Sequence, residues 1–456
     1  MLKKNMISAG LGLSSLLVIS TSFATSFNSF DPKSMAMGGA GVAVPNPGSA
    51  PFFNPALLSI ADSEDDFALE LPILGGHIAD SDDFIDAIDN FDDSLADQVD
   101  FAITSYNGAP GTSAPVVSTV NNLNRAILTL SNKPVQFDVN AGLVVGIPSK
   151  NYGMALSITG SANFAGIFDY QDSTTVSNLT NDLAALDFCY TLTGAAQVNC
   201  IQTTAFTFVD SNPASPTFGQ VNFTAQSDTG ASSDILSKAR FVGIGFTEVG
   251  LTFSREFFVF GADWAVGLTP KFVSLTVFDY EANADSADTD NLDADNFSTD
   301  YNDINIDVGI ARDYGNGWRM GFVIKNLISN DYKAFNIDSA TGAKTATGTI
   351  ISVKPQARIG VSRSNSWSIV TVDLDLNESE SLASFSENSQ YLATGVEFNA
   401  FDWAQLRLGY RADLVDSDRS IASAGIGLSP FGAHMDLAVA GNSDEIGAAF
   451  QLGFRF

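Results

Sequence analysis

The stretch from Glu445 to Phe456 alternates without interruption: Ile446, Ala448, Phe450, Leu452, Phe454 and Phe456 occupy one parity, and Glu445, Gly447, Ala449, Gln451, Gly453 and Arg455 the other. An extended strand repeats every two residues, so the sets lie on opposite faces, one apolar and aromatic, the other polar or small. The division recurs along the chain. Trp264, Val266, Leu268, Pro270 and Phe272 oppose Asp263, Gly267, Thr269 and Lys271, and Leu406, Leu408, Tyr410, Ala412 and Leu414 oppose Gln405, Arg407, Gly409, Arg411 and Asp413. Fourteen such segments can be placed, near 67–74, 137–147, 152–168, 239–254, 257–281, 303–310, 318–325, 351–361, 370–376, 391–398, 403–413, 419–428, 432–440 and 445–456.

The connections alternate in length, with short turns near 149, 255, 315, 365, 400 and 430 and mostly longer links at 74–136, 169–238, 282–299, 330–349 and 378–389. The period changes inside the first long link. Phe84, Ile85, Ile88, Phe91, Leu95 and Val99 recur at helical spacing among aspartates, predicting an amphipathic helix over 81–105, with a second over 121–130. The link at 169–238 reads as a long polar loop holding the only two cysteines, Cys189 and Cys200.

An even number of strands, an apolar face opposite a polar one, and short links alternating with long ones together specify an all-β chain, a 14-stranded antiparallel transmembrane β-barrel. Its last strand should close against 67–74, with the short turns at the periplasmic end and the helices in an extracellular connection. Residues 1–24, with Lys3, Lys4 and an apolar run from Ile7 to Ile19, read as a signal peptide. No later segment approaches eighteen consecutive apolar residues, which removes a transmembrane helix. Export and this pattern predict the outer membrane of a Gram-negative cell, with membrane lipid as the first partner. Residues 25–60 have no long periodic run and carry Gly38, Gly39, Gly41, Pro45, Pro47, Pro51 and Pro55, so they must fold against another element. The domain reading is therefore a signal peptide at 1–24, a hatch at 25–60 and a barrel at 61–456, with a helical insertion near 80–131 and a long loop near 169–238.

Charge narrows the function. A formal net charge of −30 argues against nucleic-acid binding through a basic surface. Only His77 and His434 could serve as imidazole bases, and no G-x-S-x-G elbow is present, so no enzyme activity and no cofactor are expected.

The stretch AMGGAGVAVPNPGSAPFFNPALLS is similar to the amino-terminal hatch of the FadL type of long-chain fatty acid and hydrocarbon channels. There a Gly-rich stretch precedes an Asn-Pro-Ala triplet, matched here by Asn54, Pro55 and Ala56, and the resemblance implies a plugged 14-stranded barrel. From Leu69 to Phe456 the chain also resembles the exported barrel family named for conjugal transfer protein TraF, through Val249 to Phe253, Lys325-Asn326-Leu327, Ala404 to Tyr410, Leu428 to Gly432 and GAAFQLGFRF. A thioredoxin-like protein shares that name, but this chain has no Cys-x-x-Cys. The two resemblances imply passive uptake of small hydrophobic molecules through a hatch-plugged lumen, or alternatively a non-conducting envelope protein with a partner in plasmid transfer.

Site candidates follow from parity. Gly38, Gly39 and Gly41 would let the hatch move or let it pack closely. Arg358, Arg407 and Arg411 face the lumen and are the choices for a ligand carboxylate, since guanidinium recognises it bidentately; pairing across neighbouring strands is the other use. Cys189 and Cys200, in an exported chain, are expected to form a disulfide. Asp288, Asp290 and Asp293 in the acidic loop are oxygen ligands of the type calcium prefers, without the glycine and terminal glutamate of an EF-hand.

Overall fold

The computed structural model describes residues 22–23, 30–44, 46–60, 66–80, 82–92, 94–223, 236–283, 296–338, 341–382, 388–400 and 403–455. The signal peptide, Ser22 and Phe23 excepted, and the acidic loop with Asp288, Asp290 and Asp293 lie outside the described residues.

The alternating segments form β1 (Ala68–Ala79), β2 (Val135–Ile147), β3 (Gly153–Asp169), β4 (Lys238–Val259), β5 (Ala262–Asn283), β6 (Ser298–Asp313) and β7 (Trp318–Lys325). After a hairpin of β8 (Asn330–Ile337) and β9 (Lys344–Val353) come β10 (Gln356–Ser364), β11 (Ser368–Asp375), β12 (Tyr391–Ala400), β13 (Ala404–Asp413), β14 (Ile421–Leu428), β15 (Ala433–Gly441) and β16 (Glu445–Arg455). All except β8 and β9 join one closed antiparallel barrel of fourteen strands; β7 pairs with β10, and β16 closes the ring on β1. Closure leaves no strand edge unpaired, which a chain crossing hydrocarbon requires.

Burial follows parity as the sequence predicts. On β16, Ile446, Leu452 and Phe454 are exposed, while Glu445, Gly447, Ala449, Gln451 and Gly453 are buried toward the lumen. Strand β1 departs from a single parity. A register shift between Glu70 and Ile73 turns both side chains inward, so Leu69 and Leu71 face out below the bulge and Leu74 and Ile78 above it.

The lumen is filled at its middle by residues 30–60, of which only Lys33 and Met35 among those described are not buried. This segment has little regular structure: α1 (Pro32–Ala36), started by Asp31 accepting from the Ser34 N–H at 3.2 Å, then α2 (Ala50–Phe53) and a 3-10 turn, Pro55–Ser59, capped by Asn54. Phe30, Phe52, Phe53, Leu57 and Leu58 form a core with inward Ile73, Val144, Ala155, Ala265, Ala311 and Val323 of the wall.

At the loop end the helical insertion consists of α3 (Phe84–Asp89), α4 (Ser94–Gly108) and α5 (Ala114–Leu130). The connection read as a polar loop also folds, into α6 (Ser173–Tyr190) and α7 (Ala195–Thr203), and the two connections share one core in which Val99, Ile103 and Val120 meet Leu179, Leu183 and Leu186. The last three leucines sit at helical spacing, but Thr180, Asn181 and Asp182 between the first two are weak helix formers, so propensity hid the period. Cys189 and Cys200 tie α6 to α7 with Cα atoms 5.5 Å apart. Asp187 accepts from the Tyr106 hydroxyl and from the Ser113 amide and hydroxyl at 2.7 to 2.8 Å, joining the two halves.

The hairpin β8–β9 is the second element read as loop. The sequence places Ile351 and Val353 on the barrel strand with Ala357 and Ile359, whereas Pro355, which has no N–H for the ladder, separates them and β10 begins at Gln356. Ile351, Val353, Tyr332 and Ala334 instead pack inward against Val242 and Ile244 of β4 and Leu275 and Val277 of β5. An inner wall of apolar residues at that end, covered by an inward-folded hairpin, explains why Ile351 continues the pattern of a strand it does not belong to.

Candidate functional site

The lumen divides into a seated hatch, a cavity above it on the loop side, and a roof. The hatch is held first by main-chain hydrogen bonds to wall side chains. Gly41 N–H and Val42 N–H donate to Asp373 Oδ2 at 2.7 and 2.9 Å, Arg358 Nη1 donates to Gly39 O at 3.1 Å, and Ser362 Oγ to Ala43 O at 2.6 Å. Asn54 Nδ2 bridges Val42 O and Ile310 O at 3.1 and 3.3 Å, while its Oδ1 accepts from Ala56 N–H, so the Asn-Pro-Ala triplet fixes a turn and docks it on β6.

Close backbone approach is the second restraint. Inward glycines follow the hatch around the wall: a Cβ at Gly267 of β5 would overlap the Pro55 carbonyl carbon, at Gly309 of β6 the Asn54 amide, at Gly321 of β7 the Val42 carbonyl, at Gly395 of β12 and Gly409 of β13 the Met37 backbone, and at Gly425 of β14 the Ala36 methyl. No other residue permits main chain to lie on main chain in this way. Gly38 and Gly39, with φ of 71° and 89°, turn the hatch along this track.

The arginine candidates divide. Arg358 is buried and bidentate to Asp375, with Nε–Oδ1 2.5 Å and Nη2–Oδ2 3.0 Å, besides its bond to Gly39 O. Arg407 bridges Glu397 and Asp436 at 2.7 and 2.5 Å, and Glu397 also meets Lys33 of the hatch at 3.3 Å. Both guanidinium groups therefore serve the wall and the hatch. Arg411 lies higher: it reaches Glu445 at 3.7 Å, its guanidinium stacks 4.3 Å over the Tyr391 ring, and its Nε has no hydrogen-bond partner among the described residues. His77 contacts Glu445 at 3.0 Å and Asp138 at 3.4 Å, so the two strands at the seam share a carboxylate that also accepts from Arg419. His434 pairs with Glu70 at 2.6 Å; Gln451 and Arg455 donate to the same carboxyl group.

Above the hatch lies a cavity of about 130 Å³. Phe30 and Met35 form its floor, Ile351 and Leu382 belong to its roof, and Phe164, Ile244, Tyr391 and Arg411 stand on its sides. An apolar trough on the outer, lipid-facing surface shares Gly76, His77, Asp138, Asn140 and Gly447 with this cavity, so the wall between the two is one strand layer thinned at two glycines. Of the residues that recur at helical spacing in the first long link, Phe91 and Leu95 pack on the cap core, while Ile88 is exposed; the most exposed aromatic of α4 is Phe101, at 76%.

Parity alone could not find the glycine track, because glycine was read only as a small inward residue. The signal was there: Gly395 and Gly409 face each other directly across paired strands, as do Gly321 and Gly360.

A closed ring of strands, apolar outside and filled inside by its own amino-terminal segment, defines a plugged transmembrane β-barrel. The sequence model described as "F plasmid transfer operon, TraF, protein" matches residues 51–375, most of the chain, and the protein belongs to that family. Solved structures similar to it include the Ralstonia pickettii toluene transporter TbuX, at 13% identity over 94% of this chain and 99% of that one with a TM-score of 0.47. A Pseudomonas aeruginosa FadL homologue is similar at 13% identity over 96% and 99% with a TM-score of 0.47, and the P. putida toluene transporter TodX at 10% over 94% and 99% with 0.46. These likenesses are distant, and the architecture stands on the strand pairing itself. No curated protein matches the sequence.

Proposed function

We propose that this protein is an outer-membrane barrel that passively takes up small hydrophobic molecules from outside the cell. The observation carrying the reading is the cavity above the hatch. Its volume of about 130 Å³ approaches the roughly 150 Å³ at which an apolar protein cavity accepts benzene. Phe30, Phe164, Ile244, Ile351 and Leu382 offer a single ring apolar surface, and Arg411 stacked on Tyr391 offers a donor to any oxygen it carries. The trough behind Gly76 and Gly447 marks where the paired wall would have to part for an apolar exit into the membrane, with the hatch as the cavity floor rather than the route.

Uptake of a labelled single-ring hydrocarbon into cells, and its permeation into liposomes, with the full chain and with residues 25–60 deleted, tests the reading. Uptake that depends on the chain and changes on deletion supports it. Permeation unchanged by the deletion, with no hydrophobic molecule co-purifying, refutes it. A second reading, a non-conducting envelope protein whose cap binds a partner in plasmid transfer, is favoured by the disulfide-tied helical cap with Phe101 at its surface.

A further inference from the structure

Besides the cavity above the hatch there is a second one beside it, of about 90 Å³, between the hatch and the wall of β3 to β7. Ser157, Thr159 and Ser161 of β3, Thr269 of β5 and the ionic group Glu248, Lys271 and Asp307 line it, and they continue downward the polar side that His77, Asp138, Asn140 and Asn163 give the upper cavity. Lys271 lies 3.1 Å from Glu248 and 3.2 Å from Asp307, so the wall there presents closely paired charges of both signs.

The two cavities share Phe30 and Asn140. The Phe30 ring packs 5.3 Å from Phe52 and lies against the inward face of Gly142, where an added Cβ would sit 3.1 Å from its Cζ; its backbone crosses Gly75. Phe30 thus fills the space between hatch and wall where the cavities meet. The inner face of β3 orders the whole path: Asn163 borders the upper cavity, Ser161, Thr159 and Ser157 the side cavity, and Ala155 and Gly153 lie under Leu58, which closes the turn end. The glycine track presses hatch and wall together at Gly267, Gly309 and Gly321 on this side and at Gly395, Gly409 and Gly425 on the other, so the gap is confined to the wall that Ser157, Thr159 and Ser161 face.

We infer that this sector is a polar side passage for small hydrated solutes, running along β3 past a hatch that stays seated, with Phe30 as its upper constriction and Leu58 as its lower one. The passage is distinct from the apolar exit proposed above, because a hydrophobic molecule would have to give up apolar contacts for Ser157, Thr159, Glu248 and Lys271. The paired charges predict little discrimination between small cations and anions.

Planar-bilayer conductance in potassium chloride tests this on the full chain carrying Ser161→Cys, alone and combined with Phe30→Ala and Leu58→Ala. The expected result is a low conductance that rises several-fold in the triple variant and collapses when a charged methanethiosulfonate modifies residue 161. No rise, or a rise the reagent leaves untouched, overturns the passage. Phe30→Trp gives a reading that does not need a widened barrel: thiol labelling at position 161 from the loop side should slow several-fold relative to Ser161→Cys alone, and equal labelling refutes Phe30 as the constriction. Hydrocarbon uptake measured on the same variants reports on the apolar route separately.

Discussion

The glycine track makes a sharp prediction about Gly409. A methyl group added there would fall inside contact distance of the Met37 carbonyl carbon and the Gly38 amide nitrogen, both hatch backbone with no side-chain freedom to yield. Either the hatch lifts from β13 or the strand bends, and overpacking of this kind costs about 1 to 3 kcal/mol. Gly160 is the control, since it lies in a strand of the same barrel and an added Cβ would approach nothing nearer than the Phe246 carbonyl at 3.9 Å. There the intrinsic preference of a strand for alanine over glycine gives a change near zero or a gain of roughly 0.5 to 1 kcal/mol. Reversible urea unfolding in lipid vesicles, followed by intrinsic fluorescence, measures both. The expected outcome is Gly409→Ala destabilised by about 1 to 3 kcal/mol with Gly160→Ala unchanged or stabilised. A Gly409→Ala protein within about 0.5 kcal/mol of the parent, the usual range of an inconsequential surface change, would refute a hatch seated on the wall backbone.

Asp373→Ala removes the acceptor of two buried hatch amides, at about 1.5 to 3 kcal/mol for each charge-assisted bond, and should free the Gly38 to Val44 turn to a protease added from the turn side; unchanged protection would contradict it. Reducing the Cys189–Cys200 bridge, which spans 11 residues, should destabilise the helical cap by about 3 kcal/mol while leaving heat-modifiable gel migration of the barrel intact. Burial, with Asp187 accepting the hydroxyl hydrogen bond, raises the Tyr106 phenol above its ordinary value. A raised folded-state pKa stabilises below the unfolded value near 10 and loses that contribution as pH rises beyond it, so helical circular dichroism of the cap should fade above about pH 10. Tyr106→Phe should weaken that dependence, and an identical alkaline transition would remove Tyr106 as its cause.

The barrel was legible because each of its strands has to satisfy lipid on one face and the lumen on the other, and Leu406, Leu408 and Tyr410 against Arg407 and Arg411 display that requirement openly. That residues 30–60 fold against other elements was legible in their lack of a period of their own. What the pattern concealed were the places where the lumen is not simply polar. Val242, Ile244, Leu275 and Val277 face inward because a hairpin covers them, and the inward glycines read as neutral when they mark backbone contact. Arg358 and Arg407 satisfied every criterion for ligand arginines, yet their partners Asp375, Glu397 and Asp436 lie on neighbouring strands, a pairing that depends on register. Arg411 differs in that its Nε has no hydrogen-bond partner among the described residues.

The central claim is that a small apolar molecule passes through the cavity between hatch and roof. Uptake of a radiolabelled single-ring hydrocarbon by cells expressing the protein or its Ile244→Trp variant tests it most directly, because the larger side chain fills that cavity from β4 without touching the hatch bonds. The account predicts protein-dependent uptake that the substitution abolishes while the folded barrel still shows heat-modifiable migration. Equal uptake by both forms, or none above cells lacking the protein, would contradict it.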